Sequence, residues 1–264
     1  MPSILADQGH RRRIILLMGI AVASVALWQT TIGSFLLYPF TILATWFHEM
    51  GHGVAAMLTG SRFERLLIYP DGSGLALSSR PADASRLTNA LISASGPLGP
   101  AIAGSLLIIA SRTGSATRAA LTVLGAALII STVIWVRSLT GWLVLPALGM
   151  AILALAQRGT APQQTLGIQL LGVQACISVW RQFSYLFSSD GSVGGQLHRS
   201  DTSAIADALL LPYWFWGAAI SAAIVFLLWW SFDVAFRRHG GRSALQARPG
   251  KTPPSPDISK RCLK

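Results

Sequence analysis

Seven largely apolar runs divide this chain, at residues 14–30, 32–58, 87–110, 119–136, 142–156, 166–187 and 209–236. Crossing hydrocarbon as a helix takes about 18 apolar residues or more, and most of these runs reach or approach that length. A backbone in lipid must satisfy its polar groups internally, which restricts a chain of this kind to a helical bundle. The composition agrees, being 52% hydrophobic and only 12% charged, proportions of a membrane protein rather than a soluble one. The expected fold is an all-α polytopic membrane protein of six or seven transmembrane helices.

The net charge of +11 is concentrated at the two ends. Arg11, Arg12 and Arg13 precede the first run, and Arg237, Arg238, Arg242, Arg248, Lys251, Lys260, Arg261 and Lys264 follow the last. Such clusters mark the cytoplasmic side and attract anionic lipid head groups. They lack the interleaved aromatics and folded motif of a nucleic-acid surface, so the bilayer is the expected partner and nucleic acid is not. The chain divides into a basic N-terminal arm (1–13), a membrane-embedded body (14–236) and a disordered basic tail (237–264) that holds Pro253-Pro254-Ser255-Pro256. No small-residue cleavage site follows the first run, which reads as a retained helix rather than a secretory signal. Cys176 and Cys262 read as free thiols. The Arg-rich, multi-pass character points to a bacterial inner (plasma) membrane.

Both basic ends on one side would need an even number of crossings, whereas seven runs are counted. One run is then re-entrant, two are fused, or the charge rule fails at one end. The run at 166–187, with Gln169, Gln174, Arg181 and Gln182, departs most from a plain span.

Inside the second run stands His48-Glu49-Met50-Gly51-His52, an HExxH pattern. On a helix the two histidines lie one above the other on one face, where both imidazoles can grip one Zn2+ ion. Glu49, beside the metal without ligating it, is placed to take a proton from the attacking water and pass it to a leaving amine. Three ionisable groups in one turn of an apolar helix need a cavity or a partner, which favours a site over chance.

A catalytic zinc needs a third protein ligand. Leu58 stands where a metzincin would place it, which excludes that arrangement. Glu64, beside Arg62 and Arg65, is accounted for by a surface ion pair. Asp7 and Asp257 lie in the arms, Asp71 in a turn, Asp83 in a polar linker and Asp233 near the basic end of the last helix. Asp190, Asp201, Asp207 and His198 remain. Four further crossings after the zinc helix return the chain to the same membrane face after Phe187, so Asp201 can reach the motif. The competing role of Asp201 is as N-cap of a helix starting near Thr202.

Between the second and third runs, Leu66-Leu67-Ile68-Tyr69 and Leu75-Ala76-Leu77 flank the turn Pro70-Asp71-Gly72-Ser73-Gly74, which predicts a small β-hairpin after the zinc-motif helix. It is either a connector or an edge that receives an extended substrate by backbone hydrogen bonding. Gly96-Pro97-Leu98-Gly99-Pro100 in the third run predicts close packing and bending against the zinc helix. Asn89 reads as a helix-start or interface residue, with a substrate contact as the alternative. Ser188 to Gly195 reads as a flexible loop.

These features together resemble the site-2 protease family of membrane-embedded zinc metallopeptidases, in its compact branch without a PDZ domain. The resemblance rests on Phe47-His48-Glu49-Met50-Gly51-His52-Gly53, the Pro-Asp-Gly-Ser-Gly hairpin and the Gly-Pro-rich third run, and it implies cleavage of transmembrane or membrane-adjacent protein substrates. Such substrates are often regulators, anti-sigma factors or membrane-tethered transcription factors among them. It further implies His48 and His52 as metal ligands, Glu49 as general base and a later aspartate as third ligand. The family's Leu-Asp-Gly motif is missing, and Ser200-Asp201-Thr202-Ser203-Ala204 resembles the Ser-Asp-Ala-type segment of the compact branch. The expected activity is that of a membrane-embedded zinc endopeptidase. A non-catalytic zinc-binding scaffold or substrate receptor is the alternative, and the presence of Glu49 speaks against it.

Overall fold

The structure, a computed structural model, describes residue 15 and residues 17–81, 83–181 and 183–236. The predicted basic arm and basic tail lie outside the described residues. In chain order the elements are α1 (Leu17–Trp28), α2 (Thr31–Leu36), α3 (Tyr38–Leu58), β1 (Arg62–Ile68), β2 (Gly74–Ser79), α4 (Arg86–Ala110), α5 (Gly114–Ile134), α6 (Leu139–Arg158), α7 (Ala161–Arg181), α8 (Phe183–Leu186), β3 (Asp190–Val193), β4 (Gln196–Arg199), α9 (Asp201–Leu209) and α10 (Tyr213–Phe236).

Four helices among the described residues, α4, α5, α6 and α10, are long and apolar enough to cross a membrane. The expectation was six or seven. α3 and α7 have the length, but α3 carries His48, Glu49 and His52, and α7 carries Gln163, Gln164, Gln169 and Gln174. All of these but Gln163, which is exposed at the start of α7, lie inside the bundle, where neighbouring helices rather than lipid meet them. Every residue of α3 from Thr41 to Glu49 is buried. On α7, the Gln164 amide donates to the Ala156 carbonyl (2.9 Å), that of Gln169 to Ser111 Oγ (3.3 Å) and that of Gln174 to Ser24 Oγ (2.7 Å). A buried amide is tolerated on these terms.

Lipid supplies no hydrophobic drive between helices, so packing falls to shape. Gly51 of α3 lies against the Ser95 carbonyl of α4, Gly104 of α4 against the Gly172 carbonyl of α7, and Gly125 of α5 against the Gly149 carbonyl of α6. The predicted contact between the Gly-Pro segment and the zinc-motif helix is thus observed, and α4 continues as one helix through Pro97 and Pro100. Larger side chains fill the rest: Ile42, Leu43, Trp46 and Phe47 of α3 share one core with Leu121, Leu124 and Leu128 of α5, Leu145 of α6 and Ile168 of α7. The chain breaks at Leu37 between α2 and α3, with Pro39 in the first turn of α3, where its missing N–H costs nothing.

The predicted hairpin is present. β1 and β2 pair antiparallel in the register Leu66↔Ala76, Leu67↔Leu75 and Ile68↔Gly74. Its turn folds back along α3, tied by Tyr38 Oη donating to the Pro70 carbonyl (3.0 Å) and Thr45 Oγ1 donating to the Gly72 carbonyl (2.5 Å). The other edge of β1 is closed by Leu66 N donating to the Trp135 carbonyl (2.8 Å) and Arg137 N to the Leu66 carbonyl (2.9 Å). β2 is therefore the edge that faces the site. A second hairpin corrects the reading of Ser188 to Gly195 as a flexible loop: β3 and β4 pair from Asp190↔Arg199 to Val193↔Gln196. Gly194 and Gly195, both at positive φ (58° and 79°), make the two-residue turn that such a hairpin demands.

Candidate metal centre

The four-residue step between the histidines puts both rings on one face of α3, with Nε2 atoms 3.2 Å apart. His52 Nδ1 lies 2.7 Å from the Ile92 carbonyl. A carbonyl only accepts, so Nδ1 carries the proton and Nε2 presents a bare lone pair, the tautomer suited to a metal. α4 holds the ring from its other side at Gly96, where a Cβ would collide with the imidazole.

Asp201 joins them from α9. The expected competition over its side chain is resolved by its neighbour: Ser200, not Asp201, is the N-cap, its Oγ accepting from Ser203 N at 3.2 Å. Asp201 is the first helical residue, and its carboxylate is free to turn inward. Asp201 Oδ2 lies 3.1 Å from His48 Nε2 and Oδ1 lies 3.3 Å from His52 Nε2.

Two imidazole nitrogens 3.2 Å apart thus converge with the Asp201 carboxylate, one of its oxygens lying 3.1 Å from the first nitrogen and the other 3.3 Å from the second. Ligands at about 2.0–2.1 Å in a tetrahedron stand about 3.3 Å apart, so the spacing fits a zinc-sized ion. Among the described residues, this is the group of histidine, cysteine and acidic side chains that could hold a metal.

Glu49, 6% exposed, sits next to this triangle with Ala76 of β2 beside its carboxylate. Gly74 lets β2 come this close, since a Cβ there would meet Thr45 Cγ2 and the Glu49 side chain. Two cavities open on either side. One, of about 320 Å³, is lined by Thr41, Thr45, Asp71, Ser73 and Ser192 among others. The other, of about 310 Å³, is lined by Ser78, Arg80, Ser93, His198, Arg199 and Asp201 among others. His48, Glu49, Gly74, Tyr185 and Val193 border both and form the waist between them.

The other sequence candidates lie elsewhere. Asp190 accepts from Ser189 Oγ at 2.7 Å and is exposed. Asp207 pairs with Arg199 (2.9 Å). His198 borders the second cavity without joining the triangle. Glu64 is exposed on β1 and makes no salt bridge among the described residues. Asn89, in the first turn of α4, accepts from Arg80 Nη1 at 2.9 Å. Sequence reasoning passed over Tyr185, because a lone tyrosine in a mixed-polarity run carries no spacing signal.

A family model described as Peptidase M50B-like matches residues 17–231, a span that includes the whole triangle, Glu49 and Tyr185. No curated protein and no solved structure matches the chain.

Proposed function

The chain belongs to the Peptidase M50B-like family, a site-2 protease family of membrane-embedded metallopeptidases, and from that premise we propose a zinc endopeptidase that cuts transmembrane or membrane-adjacent protein segments. The observation that carries this reading is the convergence of His48, His52 and Asp201 beside Glu49 at the waist of a two-ended cleft. His48, His52 and Asp201 would hold the ion, which when bound polarises the scissile carbonyl and acidifies water.

Glu49 takes the proton of the attacking water and returns it to the leaving amine. Its side chain is held at the boundary of both cavities, with Ala76 of β2 beside its carboxylate. The free edge of β2 receives the substrate as an added strand, which keeps the scissile segment extended, since a helix offers no accessible peptide bond. Unpaired strand groups at membrane depth are tolerable only against protein or a water-filled cavity, and the cleft supplies the latter.

Within the bilayer, α3 and α7 cross beside α4, α5, α6 and α10, giving six crossings, or seven with α1. The membrane-embedded protease domain is residues 14–236 of a bacterial plasma-membrane protein, and its two basic ends share the cytoplasmic side only if the crossings number six.

The test is metal content and cleavage measured on the same purified preparations. Wild type is expected to hold one zinc per chain, Asp201→Ala to lose it, and Glu49→Gln to keep it while cleavage falls about 10²- to 10⁴-fold. Undiminished zinc in Asp201→Ala would remove Asp201 from the ligand set. Cleavage surviving in Glu49→Gln would remove Glu49 as the base.

A further inference from the structure

The waist between the two cavities is where a scissile bond must lie, and among the described residues its polar side chains are His48, Glu49 and Tyr185. The first two have roles in the proposed reaction. The third is placed as deliberately. Tyr185 lies on the four-residue α8, directly after the long helix α7, and its ring packs against Gly191 of β3, where any Cβ would collide with it. The backbone N–H of Asp201 lies near its hydroxyl. That N–H belongs to the first helical residue of α9 and has no partner within the helix, while the Ser200 side chain is already engaged with Ser203 N. A phenol hydroxyl beside that donor has a proton of its own to give away.

We propose that Tyr185 is a further catalytic residue, its O–H donating to the oxyanion that forms at the scissile carbonyl. The inference rests on the metallopeptidase reading above. Peptide-bond addition turns a neutral carbonyl oxygen into an anion, and a donor already oriented at the waist strengthens its hold as that charge develops. A phenol suits the task because its ordinary pKa, about 10, keeps it protonated at neutral pH. Its position also explains the glycine at 191, which leaves room for the ring without a turn requirement of its own.

The test compares wild type and Tyr185→Phe in detergent, with labelled casein as substrate and two metal-directed peptide inhibitors. One is a Leu-Leu phosphonamidate, whose tetrahedral oxygens mimic the oxyanion. The other is a Leu hydroxamate, which ligates zinc without that mimicry. The phenylalanine variant is expected to keep its zinc and its KM, to lose about 10²- to 10³-fold in kcat, and to bind the phosphonamidate correspondingly more weakly while binding the hydroxamate as wild type does. A Gly191→Ala variant, which displaces the ring, is expected to shift the same two quantities in the same direction. Unchanged kcat and phosphonamidate affinity in Tyr185→Phe would overturn the assignment, as would equal weakening of both inhibitors together with zinc loss, which would mark Tyr185 as structural support for Asp201. A wild type that holds zinc but cuts no peptide bond, or holds none, would instead bring down the metallopeptidase reading on which the proposal stands.

Discussion

At Gly96 a methyl group has nowhere to go: a Cβ would meet the Nε2, Cε1 and Cδ2 atoms of the His52 ring. Gly96→Ala should therefore rotate or push the imidazole away from its 2.7 Å contact with the Ile92 carbonyl. Losing an outer-shell partner of a ligating histidine costs about 10- to 100-fold in metal affinity. Competition with a chromophoric chelator should show a drop of that size, and an affinity equal to wild type would mean that the ring relocates at no cost. At the same scale, 1,10-phenanthroline should abolish cleavage and added Zn2+ restore it, with Mg2+ unable to do so because two imidazoles suit zinc and not a hard oxygen-seeking ion. Restoration by Mg2+ would refute the zinc assignment. The histidines and Glu49 were legible from spacing alone, since a four-residue step on a helix fixes which side chains share a face. Gly96 was legible only as a packing residue, because what it packs against is decided by how α4 crosses α3.

Among the elements, α9 shows how a short helix delivers one side chain. Nine residues are too few to be stable alone, and α9 depends on its Ser200 cap and on Ile205, buried in a core shared with Leu186 and with Ile220 and Ile224 of α10. Ser200 Oγ serves both sides, donating to the Ser188 carbonyl (2.6 Å) and accepting from Ser203 N. Ser200→Ala should cost about 1 kcal/mol of local stability. Because the cap sets where Asp201 begins the helix, it should also weaken zinc binding, while Asp207→Asn at the far end of α9 leaves it unchanged. Titration of both variants against the same chelator checks this, and equal zinc affinity for Ser200→Ala and wild type would contradict it. The Gly194-Gly195 turn between β3 and β4 carried a hairpin signal that the polar, Ser-rich surroundings masked. The hairpin of β1 with β2 was readable because apolar residues flank a Pro-Asp-Gly turn on both sides.

For the whole molecule, polarity is inverted relative to a soluble protein. Leu106, Val123, Leu143 and Val225 stand 60%, 67%, 66% and 65% exposed on the outside of the bundle, while the cleft at its centre is lined with hydroxyls, imidazoles and carboxylates. Such a distribution fits lipid outside and water within. A cysteine placed at Ser192, on the cavity wall, should react with a polar maleimide in membranes, whereas one at Val123 should not, in a background where Cys262 is serine and buried Cys176 is retained. Equal labelling of the two would exclude a water-filled cleft bounded by lipid-facing helices.

Taken by itself, the sequence determined that this chain is a helical membrane protein with a zinc-type motif in its second apolar run and a hairpin after it, because hydrophobic run length and i, i+4 spacing are local properties that no distant contact can rewrite. It narrowed the partner of His48 and His52 to a few residues and stopped there, since closing a loop between distant segments leaves no local trace. Only the tertiary structure decided which carboxylate meets the histidines, how Ser200 frees it to do so, that α3 and α7 hide their polar groups inside the bundle, and that Tyr185 stands at the waist. Each of these depends on which surfaces face one another once the helices have packed.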